Sequence, residues 1–338
     1  MIWMISEGLN LSVFKSDPHL GWLAWQFHHM EWHGMTAWDL IQPFFMFIAG
    51  VAMPFSFSRR WAAGEPWSQS LRHVLKRCAL LIFWGLVARS IGAGKPNLDL
   101  INVLAQLSFT YLVAFLLLRF DWKVQLSAGL GLLALHTAIY ELATAPGVQG
   151  PWIQDANIGW WLDKTILGKN WGGSYATINC ISSAFNTVAG MMAGSLLFGE
   201  GAVQKKLKTL IVIGAACIAI GLALDPVIPI IKKIWTASFA IYSLGFTLLA
   251  LSVFYWICDV QLSRRWAQLL VIVGANSIFI YLFHECLHRW IDSSAKAFLG
   301  WTQPWLGPWT TILIGLAGVV FQIYVCIWLY RRQIFFKL

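Results

Sequence analysis

Residues 28–50 read HHMEWHGMTAWDLIQPFFMFIAG, a histidine-rich polar segment that leads directly into an apolar one. Four of the chain's eight histidines lie between residues 19 and 33, at the start of this stretch and just before it: His19, His28, His29 and His33. Imidazole titrates near neutral pH and acts as a proton acceptor or a metal ligand. The apolar part continues to about residue 58, and a bilayer core requires about 20 apolar residues. The stretch therefore predicts a membrane helix with a candidate site of chemistry at its mouth.

The composition of the whole chain supports a membrane protein. Of 338 residues, 58% are hydrophobic and only 12% are charged, whereas soluble domains carry about 25% charged residues. The 21 tryptophans fit a membrane interface. Six scattered cysteines without a C-x-x-C pair indicate neither a disulfide framework nor a cysteine-based zinc site. The net charge of +9 comes from basic residues at helix ends, so membrane topology explains it and no nucleic-acid partner is expected.

The apolar segments predict an all-α, polytopic membrane protein with about ten transmembrane helices in a single domain, residues 1–338. The first segment is too short to span a bilayer, and we expect it to be a truncated helix. The predicted helices cover residues 1–14, 38–58, 71–92, 100–119, 124–144, 176–198, 207–224, 235–257, 266–286 and 308–330.

Lysine and arginine mark alternate connections between these helices, from Arg59 and Arg60 to Arg331, Arg332 and Lys337. The positive-inside rule places these connections and both termini in the cytosol. Most histidines and acidic residues then lie at the outer ends of helices. The long outer loop carries Trp152, Trp160, Trp161 and Trp171. Such a surface suits a polar substrate such as a sugar, although an ordinary interfacial belt of tryptophan has the same composition.

The histidines at 28, 29 and 33 are the first candidates for catalysis. A neutral imidazole accepts a proton from an attacking amine or hydroxyl, and it needs a partner that sets its orientation. Glu31 and Asp39 are the nearest carboxylates, and Asp39 is also placed to cap the following helix. His29 and His33 are four residues apart, which on a helix would suit a metal, but Gly34 indicates a loop. A simple interfacial hydrogen-bonding role remains open for each histidine.

A second group of polar residues lies in GANSIFIYLFHE, residues 274–285. Polar groups within a membrane helix are costly and usually face a cavity or one another. We expect substrate contacts here, with hydrogen bonding between helices as the alternative. The residues concerned are Asn276, Ser277, Tyr281, His284 and Glu285.

Lys232 and Lys233 lie on the outer side, against the topology bias. They are expected to bind an anion, to pair with outer carboxylates, or simply to snorkel. Trp235 follows them. On the cytosolic side, arginines are candidates for holding the phosphates of a nucleotide-type cofactor, although the positive-inside rule already explains them. These are Arg59, Arg60, Arg72 and Arg77.

Several motifs together resemble the heparan-alpha-glucosaminide N-acetyltransferase family, which has bacterial members of unassigned function. The run from His29 through Trp32, Gly34 and Asp39 resembles its signature H-x-x-W-x-G-x-T-x-x-D-L. The resemblance continues, in order, through NVLAQLSFTYLVA, YATINCISSAFNTVAG, KKIWTASF and GANSIFIYLFHE. Where members usually carry a Gln-Arg pair, this chain has Ala105-Gln106, which makes Gln106 a candidate cofactor contact.

The resemblance implies a membrane-embedded acyltransferase that takes an acetyl group from cytosolic acetyl-CoA. The acetyl group would pass to an amino sugar or glycan outside a bacterial inner membrane. It maps the active histidine onto His29 and a polar residue of the first helix onto Glu7. His29 would act as a general base or as a transient acyl carrier. Trp32, His33 and Lys233 would contact the acceptor, and Asn276 or the Trp235 indole would stabilise the oxyanion.

The implied partners are lipid, acetyl-CoA and the acceptor, with a homodimer as an option and no metal. Two other classes of function stay open. A proton-coupled transporter of sugars or small anions would also have many helices, kinking prolines and buried acids. A metal-binding membrane protein would use the histidines at 28, 29, 33, 284 and 288.

Overall fold

The fold is described by a computed structural model that covers residues 1–168 and 174–336. Trp171 of the predicted outer loop and Lys337 of the predicted cytosolic terminus lie outside the described residues. Within the described ranges the chain is helical, with one isolated β-bridge. This all-helical architecture confirms the predicted fold class.

The helices alternate with short connections along the whole chain. Several begin at a side-chain cap: Asn102, Asp121, Asn157 and Thr236 each accept a hydrogen bond from the first turn that follows. In chain order the helices are α1 (Ile2–Ile5), α2 (Gly21–Gln26), α3 (Ile41–Ala62), α4 (Trp67–Ala93), α5 (Val103–Leu117), α6 (Trp122–Leu142), α7 (Ile158–Ile166), α8 (Asn179–Phe198), α9 (Val203–Leu224), α10 (Ala237–Tyr255), α11 (Gln268–Ala275), α12 (Ser277–Leu299), α13 (Gln303–Leu306) and α14 (Trp309–Arg331).

Among the described residues, five helices are long and apolar enough to cross a bilayer by themselves, namely α3, α8, α9, α10 and α14. A sixth span results if α11 and the helix after it count as one segment, although they meet at an angle of 74°. The other predicted spans appear as α4, α5 and α6, which are shorter or more polar. The molecule is therefore a polytopic helical membrane protein.

Two segments differ from the predicted helices. Residues 1–14 form α1 and then two short 3-10 turns, Ser6–Leu9 and Leu11–Phe14, instead of one helix. The predicted helix 266–286 breaks at Asn276 and continues to residue 299. At the break, the Asn276 side chain binds the backbone of the distant C-terminal segment.

The centre of the bundle is the contact between α3 and α8. Gly190 and Gly194 of α8 lie against the backbone of Phe47 and Val51 of α3, and a Cβ at either glycine would collide with a carbonyl oxygen. Gly50 of α3 faces α8 in the same way. Glycines spaced four residues apart, as Gly190 and Gly194 are, allow this close helix approach.

The antiparallel helices define two ends of the bundle. The histidine end comprises the start of α3 and the loops 27–36 and 225–236. The basic end comprises the other end of α3, with Arg59 and Arg60, and the start of α4, with Arg72 and Arg77. From Gln42 to Arg59 the axis of α3 rises about 25 Å at about 1.5 Å per residue. The two groups of candidate residues are thus separated by most of the thickness of a bilayer core.

Candidate active site

The site at the histidine end is built from two loops that are distant in sequence. The backbone N–H of Gly34 donates to the carbonyl of Ile230 at 2.8 Å, and Gly34 pairs with Ile231 in a parallel β-bridge. Gly34 has a φ of +104°, a conformation that glycine adopts without strain. Loop 27–36 is non-helical, as the glycine predicted. This contact brings the histidine-rich loop against the loop that carries Lys232.

Asp39 joins the start of α3 to His29. Its Oδ1 lies 2.7 Å from His29 Nδ1. Its Oδ2 accepts hydrogen bonds from the backbone N–H of Met30 at 3.2 Å and of Thr36 at 3.0 Å, and from the Thr36 hydroxyl at 3.1 Å. Asp39 is fully buried, whereas 45% of the His29 side chain is exposed. These hydrogen bonds hold the Asp39 carboxylate in place, and the carboxylate in turn orients the partly exposed His29 ring.

Lys232 is the third charged member of this cluster. Its ammonium nitrogen lies 3.0 Å from His29 Nδ1 and 3.3 Å from Asp39 Oδ1. Only 6% of the residue is exposed. The sequence predicted Lys233 as a substrate contact, but the lysine that reaches His29 is the adjacent residue, Lys232. The pairing of an outer lysine with an outer carboxylate was one of the expected arrangements.

The distances define the protonation state of the cluster. Two acceptors do not approach to 2.7 Å without a proton between them, so an ionised Asp39 requires a proton on His29 Nδ1. The Lys232 ammonium, which can only donate, then bonds to Asp39 Oδ1 and acts on the His29 ring through its charge and not through a hydrogen bond to Nδ1. His29 Nε2 is then the basic nitrogen. Burial is the largest influence on the pKa of His29 and lowers it. The hydrogen bond that His29 donates to Asp39 raises this pKa and the Lys232 ammonium lowers it, and the net result is a pKa below the ordinary value.

Two open clefts adjoin the cluster and share Trp32 and His33 as a common wall. The first, of about 400 Å³, contains His29, with His28, Glu31 and Lys15 around it. The second, of about 370 Å³, is lined by Trp152, Asp225 and Ile231. The Trp32 indole N–H donates to the Trp152 carbonyl at 2.8 Å. His33 Nε2 lies 2.8 Å from Asp225 Oδ1. The wall between the clefts is therefore anchored to two other segments of the chain, at Trp152 and at Asp225.

Glu31 is exposed and lines the first cleft, and Asp39, not Glu31, is the carboxylate that contacts His29. Lys233 is partly exposed, and burial lowers the pKa of its ammonium group. Its backbone carbonyl accepts a hydrogen bond from the Asn179 amide. Within the described residues no three metal-binding side chains gather, including the histidines named for a metal site.

A second polar group lies between the N-terminal turns, α12 and α14. Glu7 Oε2 lies 3.5 Å from His284 Nε2, and His284 Nδ1 lies 3.1 Å from the Gln322 amide oxygen. His284 is 4% exposed, whereas the Glu7 side chain is 67% exposed. Glu7 is also within electrostatic range of His29. Two of the predicted site residues, Glu7 and His284, therefore contact each other, and Glu7 lies within electrostatic range of His29.

Other residues of the second predicted motif lie deeper in the bundle. Arg89 donates to Asp99 at 2.6 Å and is within electrostatic range of Glu285 and Tyr281. Tyr281 is buried and stacks on Phe45 with ring centroids 6.4 Å apart. The stacking joins α12 to α3, and Arg89 of α4 interacts with α12 through its charge. Both are interactions between helices.

The predicted oxyanion donors are placed differently from expectation. The Asn276 amide donates to the Ile334 carbonyl at 3.0 Å, and its oxygen accepts from the Phe336 N–H at 2.9 Å. Ser277 adjoins it at the same helix break. The indole N–H of the fully buried Trp235 donates to Asn186 Oδ1 at 3.1 Å. Asn276 and Trp235 therefore use their donors to hold the fold, and neither is retained as an oxyanion donor.

The predicted cofactor contacts divide between the two ends. At the basic end, Arg77 donates to the Tyr111 hydroxyl at 3.0 Å, and its buried Nε atom has no hydrogen-bond partner among the described residues. Arg60 lies 3.2 Å from His73 Nε2. Arg59 and Arg72 are exposed. Gln106 instead binds Gln42 at 2.8 Å, one turn of α3 from Asp39, so it does not belong with the arginines.

The fold and the site define a class: a polytopic helical membrane protein with a histidine, an aspartate and a lysine clustered at one end of its bundle. Two known proteins of similar sequence carry the same name. The heparan-alpha-glucosaminide N-acetyltransferase of Mus musculus is 25% identical over an alignment that covers 86% of this chain and 54% of the relative. That of Homo sapiens is 26% identical over 98% of this chain and 59% of the relative.

The chain spans a little over half the length of these curated relatives. No protein-family model matches it. The similarity nevertheless extends over most of the chain and supports a family relationship with these N-acetyltransferases, as the sequence motifs indicated.

Proposed function

We propose that the protein is a membrane-embedded acetyltransferase. It takes an acetyl group from acetyl-CoA at the basic end, on the cytosolic side, and transfers it to an amino sugar or glycan at the histidine end. The histidine end would face the outside of a bacterial inner membrane, with the C-terminus in the cytosol. The observation that carries the proposal is the contact between His29 and the buried Asp39, 2.7 Å apart at the mouth of an open cleft.

The chemistry follows from the free Nε2 of His29. This atom removes a proton from the acceptor amine as the nitrogen attacks the thioester carbonyl carbon. A C–N bond forms, and the tetrahedral intermediate collapses with cleavage of the C–S bond. The electron pair leaves with sulfur, and the imidazolium returns the proton to the coenzyme A thiolate. Asp39 orients the ring and stabilises the imidazolium, as the carboxylate does in the catalytic triad of serine proteases.

Acceptor binding is assigned to the two clefts at the histidine end. The apolar face of a sugar ring stacks on indole, and sugar hydroxyls bind carboxylates and imidazoles. Trp32, His33 and Asp225 provide these groups beside His29. Each cleft falls within the size range of small-molecule sites, about 300–1,000 Å³. Together the clefts suit a sugar that is linked to a second residue.

Binding of the phosphates of acetyl-CoA is assigned to the basic end. A buried arginine nitrogen without a partner is costly, and a phosphate oxygen would satisfy it. Arg77 provides such an atom, and Arg60 of the adjacent helix lies within electrostatic range of Tyr111, the residue that Arg77 contacts. The acetyl-bearing end of the molecule would then extend along α3 toward His29.

One observation favours the rival function, a proton-coupled transporter. The break at Asn276, with 74° between α11 and α12, resembles the broken helices of secondary transporters. Transport would move an unmodified sugar or anion, whereas an acetyltransferase changes the acceptor covalently.

The test uses purified full-length protein in proteoliposomes, with labelled acetyl-CoA and a panel of amino sugars, and identifies products by mass. The proposal predicts an acetylated sugar and release of free coenzyme A. Uptake of labelled, unmodified sugar in the absence of acetyl-CoA, without any acetylated product, would contradict it and support the transporter.

A further inference from the structure

Lys232 is the least expected charge at the histidine end. Lysine is almost never fully buried without a partner, and this one is 6% exposed on the side of the bundle where basic residues are scarce. Its ammonium group contacts Asp39 at 3.3 Å and His29 at 3.0 Å. Its position is fixed by the Gly34–Ile230 contact and by a further hydrogen bond, from the Ile231 N–H to the Thr236 hydroxyl at 3.0 Å.

A buried carboxylate beside an imidazole has two opposing effects on a general base. It orients the ring, and it also stabilises the imidazolium, which has already lost its ability to accept a proton. A cation that contacts the same carboxylate oxygen weakens the second effect and leaves the first unchanged. Lys232 meets this requirement because it and His29 share Asp39 Oδ1.

We propose that Lys232 is a positioning residue. Its ammonium group offsets the negative charge of Asp39, so that His29 stays neutral at the pH at which the enzyme works. The cluster then carries one negative and one positive charge next to an uncharged base, with the Nδ1 proton directed at Asp39 and Nε2 free for the acceptor. The inference rests on the proposed function, in which His29 is the base.

Other charged groups near His29 also influence its protonation, in addition to Asp39 and Lys232. Glu7 approaches from the N-terminal turns and favours the imidazolium. The remaining titratable groups line the first cleft or continue the lysine loop, namely Lys15, His28, Glu31, His33 and Lys233. Asp39 and Lys232 are the two charged groups in direct contact with the ring among the described residues.

The experiment is a pH titration of His29 by NMR, with histidine-labelled full-length protein in nanodiscs and the resonance assigned by its loss in His29→Gln. In Lys232→Gln the pKa of His29 should rise by about one pH unit or more. Lys232→Arg keeps the charge and should restore a value close to that of the wild type. Lys233→Gln is the matched control, and it should shift the His29 resonance much less.

The same variants give a kinetic signature. A raised pKa keeps His29 protonated at neutral pH, so the acidic limb of kcat/KM in Lys232→Gln should move to higher pH by the amount seen by NMR. Activity should recover at high pH, which the loss of a merely structural residue would not produce. If Lys232→Gln does not fold, Lys232→Met retains the apolar stem and serves as the second neutral variant.

An unchanged or lowered pKa of His29 in a folded, neutral variant would overturn the inference. The titration does not depend on turnover. A wild-type protein that transfers no acetyl group would therefore contradict the proposed function, while the titration would still decide the electrostatic role of Lys232.

Discussion

Lys232 Nζ lies 3.0 Å from His29 Nδ1, although 203 residues separate them in the chain. Two loops from opposite halves of the sequence make this contact, and a single backbone pairing at Gly34 holds them together. The charged cluster is therefore a product of the fold and not of a local motif. We expect substitutions of its residues to distinguish a catalytic site from a structural ion pair.

Asp39→Asn should leave the fold intact and lower kcat for acetyl transfer by about 10²–10⁴-fold, because an amide neither fixes the Nδ1–H tautomer nor stabilises the imidazolium. The measurement is a steady-state assay with labelled acetyl-CoA, with KM for acetyl-CoA expected to be unchanged. Glu31→Gln is the control, since that exposed carboxylate does not contact His29. Equal losses in the two variants would argue against a specific role for Asp39.

Trp32→Phe should raise KM for the sugar acceptor several-fold while KM for acetyl-CoA stays constant. Phenylalanine keeps an aromatic face but lacks the N–H that donates to the Trp152 carbonyl, so the wall between the clefts loses its anchor. Trp22→Phe, at a tryptophan that is 69% exposed, is the matched control. A change in KM for acetyl-CoA alone would place the acceptor elsewhere.

Arg77→Met should raise KM for acetyl-CoA by about tenfold or more, because a charge-assisted hydrogen bond contributes about 1.5–3 kcal/mol. It should also reduce the thermal stabilisation of the protein by coenzyme A. Tyr111→Phe separates the binding role from the loss of the Arg77–Tyr111 hydrogen bond and should have a small effect. Binding of coenzyme A that is insensitive to Arg77→Met would contradict the assignment of phosphates to the basic end.

Gly190→Ala should lower the free energy of unfolding by about 1–3 kcal/mol, since its Cβ would meet the backbone oxygen of Phe47, which cannot move aside as a flexible side chain can. Gly131→Ala is the matched control, because no atom lies within 4 Å of the added carbon. Thermal unfolding of the two variants in the same detergent checks this. A Gly190→Ala protein as stable as the control would show that α3 and α8 are less closely packed than described.

Much of this architecture was predictable from the sequence, because a membrane helix is recognised by the apolar composition of one continuous segment. The apolar segments predicted most helices. His29 and Asp39 were also predictable as neighbours, because they are ten residues apart and flank one helix start. The break at Asn276 was not, because it depends on a hydrogen bond to the distant C-terminal segment.

The assignment of individual polar residues was harder. Two adjacent lysines on the outer side were a clear signal, but the conformation of one loop decides that Lys232 and not Lys233 reaches His29. Trp235 and Asn276 appeared available for chemistry in the sequence, yet both are occupied by partners in the folded protein. Gln106 was grouped with the arginines, but the direction of α5 places it near Gln42 at the opposite end of the bundle.

The central claim is that His29 removes the proton from the acceptor, and the most direct test is acetyl transfer by purified His29→Gln in lipid. We expect a loss of about 10²–10⁴-fold relative to the wild type, whereas His19→Gln, at an exposed histidine outside both clefts, should be fully active. A folded His29→Gln protein that transfers acetyl groups at the wild-type rate would contradict it.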